Sequence, residues 1–357
     1  MNVSAWTVHA GGEPMVLEER DEQPGEGEAL VEVAGCGVCH TDLGFYYDGV
    51  PTRQGFPLTL GHEVSGTVVE AGPGATDWIG KQVVVPAVTP CGVCSACLDG
   101  QGRICPKQIF PGSDVHGGFA SHLRIPAVGL CPVPDLGDPA LNPTGIKLAA
   151  LSVIADAVST PYQAIVRSGL QAGDLAVFIG AGGIGGFGVQ VAAALGAKVV
   201  AIDVDGARLD AMADHGAELT LRADELGFKE LRGAVKGLAK EHGIPTYRTK
   251  IFETSGTDSG QTTAFGLVGH GGYLSVVGFT PKKVEIRLSN LMAFDATAEG
   301  VWGCLPELYP PIVDLVLSGK IALDAFIEYR PLSSINDVFA DLHAGKISRR
   351  VILTPEG

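Results

Sequence analysis

Between residues 175 and 203 the chain reads Leu175-Ala176-Val177-Phe178-Ile179, then Gly180-Ala181-Gly182-Gly183-Ile184-Gly185, then an Ala- and Val-rich stretch to Leu195, then Lys198 to Ile202 closing on Asp203. Few folds accommodate that order. The apolar run reads as a strand buried on both faces, Gly186 to Leu195 has a helical pattern ended by Gly196, and a second buried strand follows. The result is a βαβ unit in which each glycine has a task. Gly180 permits a tight turn, Gly182 lets backbone amides approach a pyrophosphate at the helix N-terminus, and Gly185 lets helix and strand pack closely. Asp203 is placed to hydrogen-bond an adenosine ribose, and its carboxylate repels the extra phosphate of NADP, so NAD is the expected cofactor. The glycine pattern alone also fits a flexible turn, but strand, helix, strand and terminal Asp in register argue against that. The expected cofactor contacts are Gly180, Gly182, Gly183, Ile184, Gly185 and Asp203, with His40 and Arg208 added.

Cysteine and histidine supply a second constraint. Gly35-Cys36-Gly37-Val38-Cys39-His40-Thr41-Asp42, followed by Gly61-His62-Glu63, reads as part of a catalytic zinc site. Zinc that acts on a substrate takes three protein ligands and keeps a fourth position open, and Cys39 and His62 provide two of the three. Asp42 can fix the tautomer of His62 or hold a backbone donor, while Glu63 stands beside the metal. Further along, Cys91, Cys94, Cys97 and Cys105 fall at C-x2-C-x2-C-x7-C in a Gly-rich stretch. Four thiolates so close suit a closed tetrahedral zinc site that stiffens a loop and offers no position to substrate. Two disulfides are the alternative. The start Met1-Asn2-Val3-Ser4-Ala5-Trp6 shows no basic and apolar leader toward an oxidising compartment, so structural zinc and a cytoplasmic location are expected.

A chain of 357 residues suggests two domains. With 46% apolar residues and 50 glycines it can bury a large core among many tight turns. Its apolar runs are strand-length, short of the roughly 20 residues of a spanning helix, so no membrane partner is expected. The net charge of −15 and the lack of a Lys or Arg cluster argue against nucleic acid.

Two zinc signatures around a dinucleotide motif make the chain resemble, over its whole length, the zinc-containing medium-chain alcohol dehydrogenases. Gly61-His62-Glu63, the four-cysteine stretch, Gly117-Gly118-Phe119-Ala120, the glycine fingerprint and the Gly272 to Gly278 segment carry the resemblance. It implies an α/β fold. A mostly-β GroES-like catalytic domain with a structural zinc lobe takes residues 1–157 and 295–357, a doubly wound Rossmann NAD-binding domain takes 158–294, and the active site lies in the cleft between them. It also implies the third zinc ligand, which spacing alone does not find. The matching position holds Cys in many members and Asp in others, and here it is Asp156. A carboxylate in place of a thiolate keeps the formal charge and hardens the site, making zinc a stronger Lewis acid toward an alcohol oxygen. Without the resemblance, Asp156 also reads as a helix cap or a solvated acid.

Two zinc ions and NAD are thus the implied cofactors, and Cys39, Thr41, His62 and Asp156 the implied catalytic set. Glu63 is a candidate fourth, exchangeable ligand. The Thr41 hydroxyl, two residues after the first cysteine ligand, would receive the alcohol proton; its other role is packing or capping. Many relatives continue the proton path to a His five residues after that cysteine, where this chain has Gly44. The exit route is left to His40, Tyr46, Tyr47 and Asp48, by proximity alone.

A narrower resemblance is carried by Cys39 to Asp48, Val153 to Val158, Leu288 to Phe294 and Trp302 to Glu307. These segments are similar to the branch of the family that oxidises 6-hydroxycyclohex-1-ene-1-carbonyl-CoA with NAD⁺ in anaerobic benzoyl-CoA breakdown. The implied product is 6-oxocyclohex-1-ene-1-carbonyl-CoA, whose double bond is conjugated with both carbonyls. A CoA ester needs basic contacts for its phosphates. Arg53, Lys107, Arg124, Lys282, Lys283 and Arg287 lie in segments able to line a cleft, and each also reads as an ordinary surface charge. A general zinc-dependent aryl or secondary alcohol dehydrogenase is the alternative. Intact Cys39, His62, Asp156 and glycine fingerprint argue against a zinc-free double-bond reductase and against a non-catalytic binding member. The family further implies a homodimer or homotetramer. Cys36, Cys131 and Cys304 read as small buried apolar groups, and His116, His122, His215, His242, His270 and His343 have no partner evident in sequence. Arg349-Arg350 reads as a basic pair near the cofactor or a solvated end, and Pro310-Pro311 and Pro331 as turns.

Overall fold

In the computed structural model, which describes residues 1–356, the apolar run Leu175–Ile179 is a strand with every residue buried. It lies between Lys198–Asp203 and Thr249–Glu253 in a six-stranded sheet whose every pairing is parallel. Leu219–Arg222 flanks one side, and Tyr273–Val276 then Thr297–Gly300 the other. Taken in chain order, the strands are arranged 3-2-1-4-5-6, the doubly wound order. The sheet is apolar through its thickness because helices cover parallel strands on both faces; Phe178 and Phe252 stack across neighbouring strands with ring centroids 4.7 Å apart.

This sheet belongs to one of two units. Residues 160–302 with 320–322 form it, and residues 1–159, 303–319 and 323 onward form the other. The boundary expected at residue 295 is therefore corrected. Thr297–Gly300 pairs in parallel with Tyr273–Val276 and completes the sheet, so the unit runs to 302. Its residues Thr297-Ala298-Glu299-Gly300 carry no apolar run, and an edge strand with one open side needs none.

The glycine fingerprint lies where the first strand meets the helix Gly185–Ala194. Gly180 has φ +93°, and a Cβ on it would lie 2.6 Å from the Ser255 backbone. A Cβ on Gly185 would lie 1.8 Å from the carbonyl oxygen of Gly180. At Gly182 the nearest atom would be Arg208 Nη1 at 3.5 Å, so the protein leaves the space before it open.

The other unit is built on a mostly antiparallel sheet. Its order is Ile327–Pro331, Arg350–Thr354, Glu28–Gly37, Glu63–Ala71, Gln82–Val85 and Cys131–Pro132, with His122–Pro126 also paired to Glu28–Gly37. Leu58, Leu60, Val64, Phe119 and Phe339 fill its core. Pro310 and Pro311 do not make the expected turn. They sit in the first turn of the helix Tyr309–Leu317, where a missing N–H breaks no helical bond. No single helix among the described residues is long and apolar enough to cross a membrane.

Gly185→Ala sets a side chain against backbone that cannot yield. Such overpacking costs typically about 1–3 kcal/mol or more. Urea unfolding should show at least that loss, together with weakened dinucleotide binding.

Candidate active site

Glu28–Gly37 runs into Val38 and Cys39, and Cys39 caps the helix His40–Tyr47. Asp42, in the first turn and fully buried, faces back along the chain. Its Oδ2 accepts from the Cys39 amide at 2.9 Å and its Oδ1 from the Gly61 amide at 3.1 Å, so one carboxylate joins the segments bearing Cys39 and His62. The same Oδ1 lies 3.3 Å from His62 Nδ1. Gly61 has φ +98°, and a Cβ there would lie 2.8 Å from Cys36 Sγ, so glycine alone delivers His62 to this place.

Asp156 arrives from a distant part of the chain, as the residue that ends the 3-10 segment Leu148–Ala155. Its Oδ2 is 3.6 Å from Cys39 Sγ and 3.6 Å from His62 Nε2. Ligands bonded to one tetrahedral zinc at roughly 2.0–2.3 Å lie about 3.3–3.8 Å apart, so the three residues fit a single ion. Both His62 nitrogens are buried without a hydrogen bond among the described residues; Nδ1 faces Asp42, and Nε2 faces Asp156 as a nitrogen kept for metal would. Burial opposes a charge on His62, yet Asp42, Asp156 and Cys39 together hold its pKa well above the ordinary value. The site draws positive charge inward.

Glu63 also belongs to this cluster: one ligand atom from each of Cys39, His62, Glu63 and Asp156 lies within 4.8 Å of the others. It is fully buried, and burial raises its pKa although Arg350 pulls the other way. Arg350 Nε donates to Glu63 Oε2 at 3.0 Å and its Nη2 to Oε1, and Nη2 lies 4.0 Å from Asp156 Oδ2. Arg350 is thus buried against Glu63 and is not part of a solvated end. The signal for it was an arginine opening the buried strand Val351-Ile352-Leu353, where a cation needs an anionic partner.

The four-cysteine stretch folds back on itself. Sγ separations of 4.0 Å for Cys91 and Cys97, 3.5 Å for Cys94 and Cys97, and 3.7 Å for Cys94 and Cys105 bracket the about 3.8 Å of a tetrahedral thiolate site. All four thiols are free. Amides led by that of Val93 point at Cys91 and lower its pKa to about 6, whereas desolvation and neighbouring thiols push Cys97 up to about 12. A cation at their centre removes that conflict.

Thr41 is half-buried, with Oγ1 3.8 Å from Cys39 Sγ. Tyr46 is buried, spends its hydroxyl on the Glu13 carbonyl and packs against Phe339, while Tyr47 stacks on His343. His40 and Asp48 are exposed. Cys36, Cys131 and Cys304 are buried. The remaining histidines have partners that sequence did not reveal: His116 with the Thr59 amide, His122 with Ser121, His215 with the Ala211 carbonyl, His242 with Glu218 and His270 with the Phe294 ring.

At the glycine loop, Asp203 Oδ2 accepts from the Ala181 amide at 2.6 Å, and Oδ1 accepts from Val204 and Asp205 at 2.8 and 2.9 Å. Arg208 Nη1 lies 4.0 Å from Asp203 Oδ2. Gly182 and Ile184 are partly exposed and Gly183 exposed, so this loop presents backbone to solvent while Asp203 braces it from below. Of the six cations considered for CoA phosphates, Arg53 pairs with Asp114, Arg124 with Glu22 and Glu28, and Lys282 with Asp258. Lys107, Lys283 and Arg287 are exposed.

Residues 25–135 match the family described as "Alcohol dehydrogenase GroES-like domain", and residues 183–318 match "Zinc-binding dehydrogenase". An alcohol dehydrogenase of Geobacillus stearothermophilus is 31% identical over 332 residues, 92% of this chain and 91% of the relative. An L-threonine 3-dehydrogenase of Pyrococcus furiosus is 30% identical over 340 residues, 93% and 92% of the two chains. The cobalt- and zinc-bound thermostable alcohol dehydrogenase from Pyrobaculum aerophilum superposes with a TM-score of 0.82 at 25% identity, over 99% of this chain and 100% of that one.

Arg350→Met leaves Glu63 buried without its counter-ion, which should destabilise the protein by about 3–5 kcal/mol in urea unfolding. Glu63→Leu with Arg350→Met should recover most of the loss. Because Cys39 and His62 bind metal only when deprotonated, metal affinity measured against a chelator should fall as the pH is lowered.

Proposed function

The chain belongs to the zinc-containing medium-chain alcohol dehydrogenases, and from that premise we propose that this zinc-dependent alcohol dehydrogenase oxidises the ring hydroxyl of 6-hydroxycyclohex-1-ene-1-carbonyl-CoA with NAD⁺. The observation that carries the chemistry is the convergence of Cys39, His62 and Asp156 at ligand spacing in a buried, negatively biased site. Support for the substrate lies in the segments Cys39 to Asp48, Val153 to Val158, Leu288 to Phe294 and Trp302 to Glu307, and in Asp156 at the third position. Support for NAD over NADP lies in the Asp203 carboxylate beside the glycine loop. Two zinc ions per chain, one held by Cys39, His62 and Asp156 and one by the four cysteines, complete the proposed cofactor set.

Bound there, zinc would supply a Lewis acid that lowers the pKa of the substrate hydroxyl, and NAD⁺ the acceptor for hydride. Asp42 holds the Cys39 and Gly61 amides and faces His62 Nδ1, so it presets the two segments that carry Cys39 and His62. Thr41 Oγ1 takes up the hydroxyl proton and passes it toward solvent. With a proton lost through Thr41 and a hydride accepted by bound NAD⁺, the secondary alcohol would become a ketone. Glu63, neutralised by Arg350, adds no second net charge beside Asp156.

The outer strand Thr297–Gly300 and the exposed Leu288, Met292 and Trp302 near it favour a homodimer or homotetramer, which light scattering would report. The names of the relatives favour a second reading, a dehydrogenase of simple alcohols. Purified, zinc-replete protein should form NADH with the CoA ester and far less with benzyl alcohol, cyclohexanol or the free hydroxy acid. Turnover of the simple alcohols with an inert thioester would discard the CoA assignment. Thr41→Val should lower kcat by about 10²- to 10⁴-fold while leaving two zinc per chain.

A further inference from the structure

The segment Trp302 to Glu307 leads into the helix Tyr309–Leu317, and its first residue, Tyr309, is fully buried. Its hydroxyl donates to the Ala155 carbonyl at 2.6 Å. Ser159 Oγ reaches the same carbonyl at 3.1 Å and Tyr309 Oη at 3.3 Å, and the Ala87 amide reaches the carbonyl at 3.3 Å. Three donors therefore converge on one backbone oxygen, 154 residues in sequence from the tyrosine. Burial holds the Tyr309 phenol well above its ordinary pKa, so it remains a donor. Ordinary packing of a tyrosine needs one partner for its hydroxyl. It does not need a serine and an amide aimed at the same acceptor.

That acceptor belongs to the peptide joining Ala155 to Asp156. A peptide unit is planar, so fixing its carbonyl fixes the direction in which the chain enters Asp156. Asp156 closes the 3-10 segment outside regular helix, with φ −138° and ψ −58°. With the peptide plane held, the Asp156 N and Cα are placed, and only its own φ and side-chain torsions remain to bring Oδ2 to its place 3.6 Å from both Cys39 Sγ and His62 Nε2. We propose that Tyr309, assisted by Ser159, is a positioning residue for the catalytic metal: it clamps the Ala155 carbonyl and thereby holds Asp156 in ligand geometry. This inference rests on the reading of Cys39, His62 and Asp156 as the catalytic zinc ligands. Groups that orient metal ligands change metal affinity or activity by roughly 10- to 100-fold when removed, and the clamp acts through the same principle one peptide removed.

The test uses the full-length protein, with cobalt(II) in place of zinc as a spectroscopic probe and a chelator to time metal release. Tyr309→Phe removes one oxygen and keeps the ring. It should speed release of the metal at Cys39, His62 and Asp156 about 10-fold or more, shift the visible d–d bands of that cobalt, and lower kcat more than it raises KM. The metal of the four-cysteine lobe should be released as in the wild type. Ser159→Ala should move the same readouts in the same direction and serves if Tyr309→Phe does not fold. In an Asp156→Asn background Tyr309→Phe should have no further effect on release. Unchanged bands and release rates in both variants, or an equal effect of Tyr309→Phe in the Asp156→Asn background, would overturn the clamp. A folded wild type that takes up only the four-cysteine metal would overturn the site reading itself, and the clamp with it.

Discussion

The catalytic unit depends on keeping negative charge inside an apolar core. Asp42 and Glu63 are fully buried, Cys39 nearly so, and Asp156 is only partly shielded beside them. Isolated anions there would be expelled or protonated. Each is instead given a specific compensation: Asp42 two backbone amides and an imidazole, Glu63 the guanidinium of Arg350. Cys39, His62 and Asp156 are left facing one another with more negative charge than the protein neutralises. That imbalance is what suits the place to a divalent cation, and it explains why the surrounding strands, turns and helix cap are arranged around so few atoms.

The dinucleotide unit solves a different problem with backbone rather than charge. Its strand core is continuous and apolar, and the chemistry is confined to the turn after the first strand. There Gly180 and Gly185 are forced by contact with Ser255 and with each other, while a Cβ on Gly182 would meet only Arg208 at 3.5 Å. Asp203 is fastened by three amides, so its carboxylate is held in one place beside the glycine loop. Preorganisation of this kind reduces what binding must spend on ordering the site.

Much of this was legible because the relevant residues are close in sequence. The strand, glycine turn, helix and second strand fall within one continuous stretch, and the four cysteines within another. Cys39 and His62 were legible as residue types that few other chemistries need. Other features gave weak or misleading signals. Thr297–Gly300 is polar enough to pass for a loop, since an edge strand is held by main-chain bonds on one side and by little side-chain burial. Pro310-Pro311 resembles a turn because proline is disfavoured inside a helix, although it is well accommodated at a helix start. Arg350 looked like a tail residue until the strand it opens proved to be buried.

By itself the sequence determined the local elements, the two candidate metal-ligand sets in outline and the glycine loop, because periodicity, spacing and glycine stereochemistry act over a few residues. Only the tertiary structure decided which distant groups meet. It brought Asp156 to Cys39 and His62, Arg350 to Glu63, and Tyr309 to the carbonyl before Asp156. Those pairings span more than a hundred residues in all but one case, and no local propensity encodes them. They arise because a buried charge or a buried hydroxyl must find its partner somewhere in the fold, and where that partner comes from is settled by sheet order and packing.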